Sequence, residues 1–283
     1  MASFKEQMTK KMEHTLSPAE QEKLPSGFQR LGNIAIIQLK PELLEKKELI
    51  GEAALATIHG IKTICLKTGK IEGENRLPKI EYVCGENNTI VEHHEHGCIF
   101  RFDATKLMWS KGNMSERKRM YENVKKGETV VDFFCGMGYW SIPIAKHSQP
   151  MKVYAMDKNP DAIEAIRTNQ KLNHIPENTL HIMQGDCVEL ASTLGKIADR
   201  VIMGYIPAPR FALPAAFHVL KNNGGIIHYE GVCHAGEEEK LFQDVRETGI
   251  QYGYACTLLH TQQVKSFGPK KWHYTLDIQA KRF

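Results

Sequence analysis

Between Val130 and Gly138 the chain reads Val-Val-Asp-Phe-Phe-Cys-Gly-Met-Gly, and a second apolar run, Lys152–Asp157, closes on an acid nineteen residues after Gly138. The order is strand, glycine turn, helix over residues 139–147, then a strand with a terminal carboxylate, which is the layout of a site for a nucleotide-type ligand. Gly136 and Gly138 let the backbone approach a ligand with no Cβ in the way. Asp157 is placed to accept hydrogen bonds from the two hydroxyls of a ribose. Position 141 is serine rather than the third glycine of a dinucleotide fingerprint, and no Gly-Lys-Ser/Thr follows, so no pyrophosphate or phosphate-cradling loop is indicated. An adenosyl ligand without a pyrophosphate fits this pattern, and S-adenosyl-L-methionine is the obvious one. Asp132, on the first strand, can hold that ligand's amino group.

A second group of residues precedes the first strand of this unit. Ser110 and Ser115 can cap a helix, and Arg117 and Arg119 fall on it, aimed at the cleft. An arginine there can hold a carboxylate bidentately, including the methionine carboxylate of the ligand. His93, His94, His96 and Cys98 form a tempting metal cluster, since residues 94, 96 and 98 share one face of a strand. Gly97 interrupts the run and no second ligand pair lies at zinc-site spacing, so no metal is expected. There is no nucleophile elbow, no Ser-x-x-Lys and no His-Glu-x-x-His, and no catalytic acid, base or nucleophile is singled out. The chemistry is left to the cofactor.

The elements that must position these residues divide the chain. Residues 1–24 are polar and read as a helical or frayed leader. A strand from Ile34, a helix from Pro41 to Ala56, and short strands at 63–67, 80–84, 89–92 and 98–103 make residues 1–105 a small α+β domain. A basic connector covers 106–119. From 120 to 283 strands at 129–134, 152–157, 179–183, 200–203 and 225–229 alternate with helices, one of them opened by Asn159 and Pro160. A helix over 237–248 and two final strands, 254–263 and 272–280, complete an α/β seven-stranded sheet of the Rossmann-like kind that many methyl-donor enzymes use. Right-handed crossovers place the ligand at the C-terminal strand ends. Asp186, just after the third strand, then sits by the adenine and can accept from its amino group.

A chain of 283 residues with 42% hydrophobic and 25% charged residues is an ordinary globular composition. No apolar run reaches membrane-spanning length, and the charged N-terminus lacks a secretory core. Seven cysteines without a Cys-x-x-Cys pair point to reduced thiols in a cytoplasmic setting. Net charge is only +4, but residues 101–126 hold eight Lys/Arg against three Asp/Glu, and Lys265, Lys270 and Lys271 cluster near the C-terminus. Two basic runs beside a cofactor site suit a polyanionic substrate. Trp109, Tyr205 and Trp272 are candidates for stacking on an extruded base.

Several of these motifs together resemble a known family. Tyr82–Gly85 with Thr89, Glu95-His-Gly-Cys-Ile-Phe, Ser110-Lys-Gly-Asn-Met-Ser-Glu-Arg and Val131-Asp-Phe-Phe-Cys-Gly-Met-Gly are similar to segments of the enzymes that modify position 37 of tRNA. The family holds a guanine-37 N1-methyltransferase and a wybutosine-synthesis aminocarboxypropyltransferase. The methyltransferase carries Asn-x-Pro at the end of the fourth strand, whereas this chain has Gly204-Tyr205 there. The form Asp199-Arg-Val-Ile-Met-Gly-Tyr, with Ile226-Ile-His-Tyr and Pro269-Lys-Lys-Trp-His, is similar to the aminocarboxypropyltransferase. The resemblance implies transfer of the 3-amino-3-carboxypropyl group of S-adenosylmethionine to carbon 7 of 4-demethylwyosine in tRNA(Phe). It further implies that Ser110, Arg117, Asp157, Asp186 and Cys187 contact the cofactor, with Gly204, Tyr205 and Trp272 on the substrate side. Guanine-37 methylation and a non-catalytic protein that holds cofactor and tRNA are the competing readings.

Overall fold

The computed structural model describes residues 2–69, 71, 73 and 76–283. The chain forms two compact units, Met1–His93 with Phe100–Trp109, and His94–Ile99 with Ser110–Phe283. None of the described helices is long and apolar enough to cross a membrane.

In the first unit α1 (Phe4–Lys11) and α2 (Pro18–Gln21) each start in a capping box, Ser3 with Glu6 and Ser17 with Glu20. The polar leader is therefore built rather than frayed. Met8, Met12 and Leu16 recur every fourth residue and are buried together with Leu24 in the core of this unit. Strands β1 (Gln29–Leu31), β2 (Ile34–Ile37), β3 (Thr63–Lys67) and β4 (Ile80–Gly85) make a sheet in that order, with β2 and β3 parallel. The single helix expected from Pro41 to Ala56 is two elements, a 3-10 turn over Pro41–Lys46 and then α3 (Lys47–Leu55). Strands β5 (Ile90–Glu95) and β6 (Cys98–Asp103) form a separate ribbon, turned at His96 and Gly97, both with positive φ.

The second unit opens with α4 (Met114–Asn123) and then alternates β7 (Thr129–Asp132), α5 (Ser141–His147), β8 (Lys152–Asp157), α6 (Pro160–Leu172), β9 (Leu180–Gln184), α7 (Cys187–Leu194), β10 (Arg200–Met203), α8 (Leu213–Val219), β11 (Gly225–His234), α9 (Glu238–Gln251), β12 (Tyr254–Gly268) and β13 (Lys271–Arg282). The sheet order is β12-β13-β11-β10-β7-β8-β9. The five strands from β11 to β9 are parallel and β13 and β12 antiparallel, as the sequence pattern led us to expect. Parallel strands covered on both faces read as unbroken apolar runs, and Val130 and Val131 of β7 are fully buried. Asn159 caps α6 by accepting from Asp161 N at 3.0 Å, with Pro160 at the first helical position. Chain order reverses between β7 and β10, so the switch point lies beyond their C-terminal ends.

Candidate functional site

Register fixes which side chains share the edge of the sheet. Asp132 stands opposite Ala155 and Ile202, Ile202 opposite His228, and His228 opposite Asp277. Two residues further along β8, β11 and β13, on the same face, the next row holds Asp157, Glu230 and Thr275, with Phe134 and Gly204 just past the ends of β7 and β10. This row runs along the C-terminal strand ends.

The glycine turn is tied down at four points. Cys135 N donates to Met156 O at 2.9 Å, Gly138 N to Cys135 O at 2.9 Å, Gly136 N to Asp157 Oδ2 at 2.8 Å, and Asn169 Nδ2 of α6 to Met137 O at 3.0 Å. Gly136 and Gly138 both have positive φ, +53° and +96°. A Cβ at Gly138 would stand 2.4 Å from Ile142 Cγ1 and 3.0 Å from Ile166 Cγ1. The bare Cα there serves the packing of α5 on α6.

Asp132 is fully buried, accepts from Ser141 Oγ at 2.7 Å, and burial pushes its carboxyl up to about 7. The serine that breaks the dinucleotide fingerprint is thus the partner of Asp132. Asp157 accepts from Gly136 N and, at 2.9 Å, from Asn159 N; burial raises it, and its two oxygens keep lone pairs beyond these main-chain donors. Asp186 caps α7 through Val188 N at 2.7 Å and pairs with Lys158 Nζ at 2.7 Å, a bond that lowers its carboxyl. The Cys187 thiol lies in the core with Ala191 and Val201, and burial pushes it up to about 12. Contact between this residue and a ligand would therefore run through its main chain.

Arg117 is 1% exposed, and its fork is taken by Glu95, with Nε to Oε1 at 2.5 Å and Nη2 to Oε2 at 2.8 Å. Nη1 and Nη2 also donate to Ser110 O, at 3.2 and 3.3 Å. Ser110 Oγ donates to Asn113 Oδ1 at 3.2 Å and accepts from Lys265 Nζ. The arginine expected to clamp a ligand carboxylate instead clamps Glu95 and holds the Ser110 main chain. Arg119 is also internal, bonded to Glu116 at 2.6 Å and to Asp277.

Tyr205 packs against Phe134 at 5.1 Å and Phe211 at 6.0 Å between ring centroids, and Phe211 is well exposed. A Cβ at Gly204 would lie 2.7 Å from Trp140 Nε1 and 3.5 Å from Glu230 Oε1. Trp272 is not brought to this row: it alternates with His273 on β13 and packs on the opposite, apolar face of the sheet. Trp109 is buried against His93, Phe100 and Phe102 in the first unit. His96 Nε2 lies 3.0 Å from Met114 O, and Cys98 Sγ 3.5 Å from His147 Nε2. Sequence reasoning passed over Glu95, Trp140, Lys158, Glu230 and His273. Each meets its partner across loops or non-local strand pairs, and only Glu95 and His273 sat inside recognised motifs.

The donor set fits an adenosyl ligand, with a carboxylate whose outer lone pairs face the edge, a tied glycine turn and a capped acid after the third strand. Residues 91–253 match the family described as TRM5/TYW2 methyltransferase domain, and residues 8–89 match a TYW2 N-terminal domain. The chain is 34% identical over 256 residues to the tRNA(Phe) (4-demethylwyosine(37)-C(7)) aminocarboxypropyltransferase of Methanocaldococcus jannaschii, covering 90% of this chain and 98% of that protein. It is 32% identical over 260 residues to tRNA (guanine(37)-N(1))-methyltransferase Trm5b of Pyrococcus abyssi, covering 91% of this chain and 76% of that one. The crystal structure of P. horikoshii TYW2 in complex with MeSAdo aligns with a TM-score of 0.83 at 29% identity, over 99% of this chain and 100% of that chain.

Proposed function

This chain belongs to the TRM5/TYW2 family, and from that premise we propose that it transfers the 3-amino-3-carboxypropyl group of S-adenosyl-L-methionine to carbon 7 of 4-demethylwyosine at position 37 of tRNA(Phe). The observation that carries this reading over guanine-37 methylation is the match of residues 8–89 to the TYW2 N-terminal domain. Gly204-Tyr205 at the end of β10, where the methyltransferases carry Asn-x-Pro, supports it. All seven cysteines are free, which suits a cytoplasmic setting.

When bound, the cofactor supplies a sulfonium with three activated carbons, and the one in line with the nucleophile at about 3–3.5 Å reacts. The residues of this chain set that line. Asp157 takes the ribose hydroxyls with the lone pairs its main-chain donors leave, while Asp132, Gly136, Gly138, Asp186 and the Cys187 main chain line the adenosyl half. Ser110 faces the methionine arm, and the Arg117–Glu95 pair fixes it from behind. Gly204 and Tyr205 receive the extruded base, with Phe134 and Phe211 beside them. The division into a small α+β domain over 1–105, a connector over 106–119 and a catalytic domain over 120–283 is our reading of how these parts are organised.

The test supplies precursor tRNA with cofactor labelled either in the methyl group or in the carboxyl group. Carboxyl label reaching the RNA without methyl label is the expected result. Methyl label alone would replace this reading with methylation, and no label in either case would leave a binding protein.

A further inference from the structure

The reaction proposed above, on which this inference rests, leaves one proton to be placed. A carbon–carbon bond forms from C7 of the base to the γ-carbon of the transferred group as the bond from that carbon to sulfur breaks. Sulfur keeps that electron pair and departs as methylthioadenosine. The C7–H bond must then break, its electrons returning to the ring and its proton passing to an acceptor.

The carboxylates at the strand ends differ in what they have free. Asp132 lies one row below the edge, wholly buried and bonded to Ser141. Asp157 holds two main-chain donors and faces the ribose in the reading above. Asp186 caps α7 and is paired with Lys158. Glu230 is 2% exposed, its Oε2 accepts from His273 Nε2 at 2.9 Å, and its Oε1 finds no donor among the described residues. His273 is fully buried and its Nδ1 is likewise unpartnered there, as is Oγ1 of Thr275, which stands opposite Glu230 in register. Buried polar side chains are rarely left unpaired, and three on one face of two adjacent strands point to a group from outside the chain.

Their place says which group. Glu230 Oε1 lies 3.5 Å, and Trp140 Nε1 2.7 Å, from where a Cβ at Gly204 would stand, so an acceptor and a donor converge on the bare face of the residue that follows β10. Glu230 shares its row with Asp157 but sits three strands away, about 14 Å at the usual interstrand spacing of ~4.8 Å. That separation sets it on the far side of a cofactor whose ribose lies at Asp157. The charged groups facing it are His273 on β13 and Asp132 on β7, whose carboxyl is raised in part by Glu230.

We propose that Glu230 Oε1 accepts the proton lost from C7, and that His273, a positioning residue, holds the carboxylate through Oε2. The full-length protein carrying Glu230→Gln is assayed with precursor tRNA and carboxyl-labelled cofactor in single turnover. The expected rate loss is of order 10²–10⁴-fold, with cofactor and tRNA affinities within about twofold of wild type. The acid limb of the wild-type pH–rate profile should disappear in Glu230→Gln, and Glu230→Asp should regain part of the rate. A Glu230→Gln rate within about threefold of wild type overturns the assignment, as does a loss of cofactor affinity that matches the loss of rate. Should Glu230→Gln fail to fold, His273→Gln decides: a displaced acid limb supports the assignment, and an unmoved one overturns it. Methyl label delivered by the wild type overturns the underlying reading and this assignment with it. Carboxyl label delivered equally by wild type and variant overturns the assignment alone.

Discussion

At the scale of single residues, this protein holds buried carboxylates under two opposite regimes. Asp132 has no cation beside it; burial raises its carboxyl from 3.8 to about 7, against the hydrogen bond from Ser141. Burial also works on Asp277, yet hydrogen bonds from His228 and Arg119 outweigh it and hold that carboxyl well below the usual range. The consequences for stability have opposite signs. A folded-state pKa above the unfolded value favours the protonated form, so the contribution of Asp132 is complete below about pH 4 and is lost as pH rises to about 7. Asp277 contributes above about pH 4 and loses its contribution as pH falls below it. Asp132→Asn keeps an acceptor for Ser141 but cannot ionise. The variant should therefore gain stability relative to wild type as pH rises from 4 to 7, read as the denaturant midpoint at each pH. Parallel curves for the two proteins would show that the Asp132 charge does not burden the fold.

At the scale of elements, the glycine turn is set by helix packing as much as by any ligand. Gly138→Ala places a Cβ 2.4 Å from Ile142 Cγ1 at a φ of +96°. The expected cost is roughly 2–4 kcal/mol, from backbone strain and overpacking together. Gly136→Ala meets only the edge of the Tyr139 ring, at 2.8 Å, and should cost less because that ring can turn aside. Thermal unfolding of the two variants checks the order, and a larger loss at Gly136 would contradict this account. The strands of the central sheet were legible because continuous burial leaves an apolar run with a clear end, as in Lys152–Asp157 and Arg200–Met203. Strand β11 was read too short because Glu230–His234 is mostly polar or small. Its ladder comes from β13, some forty residues later, and no local pattern announces that. Short α7 and α8 were expected between strands but given no bounds, since seven or eight residues give barely two turns of periodicity. At the site, the turn and its acid were readable from spacing. The Arg117–Glu95 and Glu230–His273 pairs were not, because register and tertiary packing bring them together.

At the scale of the whole molecule, a net charge of +4 leaves little general attraction for a polyanion, so the distribution of cations has to supply it. Composition overstated that supply. Within residues 101–126, Arg117 and Arg119 are spent internally on Glu95, Glu116 and Asp277, whereas Lys111, Lys125 and Lys126 are exposed. The other run keeps Lys270 and Lys271 exposed at the turn of the β12–β13 hairpin. Two kinds of charge removal should then part company. Replacing Lys270 and Lys271 with Gln should weaken tRNA binding and reduce the slope of log K against log salt by about 1–2, with unfolding and cofactor affinity unmoved. Arg119→Gln should instead destabilise the fold by about 3 kcal/mol, because Glu116 and Asp277 are left buried and partly unpaired. Its salt slope should stay near that of wild type. Titrating tRNA at several salt concentrations, alongside denaturant melts, separates the two. Equal slopes for wild type and the double lysine variant would move the phosphate contacts elsewhere on the chain. A slope near zero for wild type would remove the polyanionic substrate altogether, whatever the cofactor site binds.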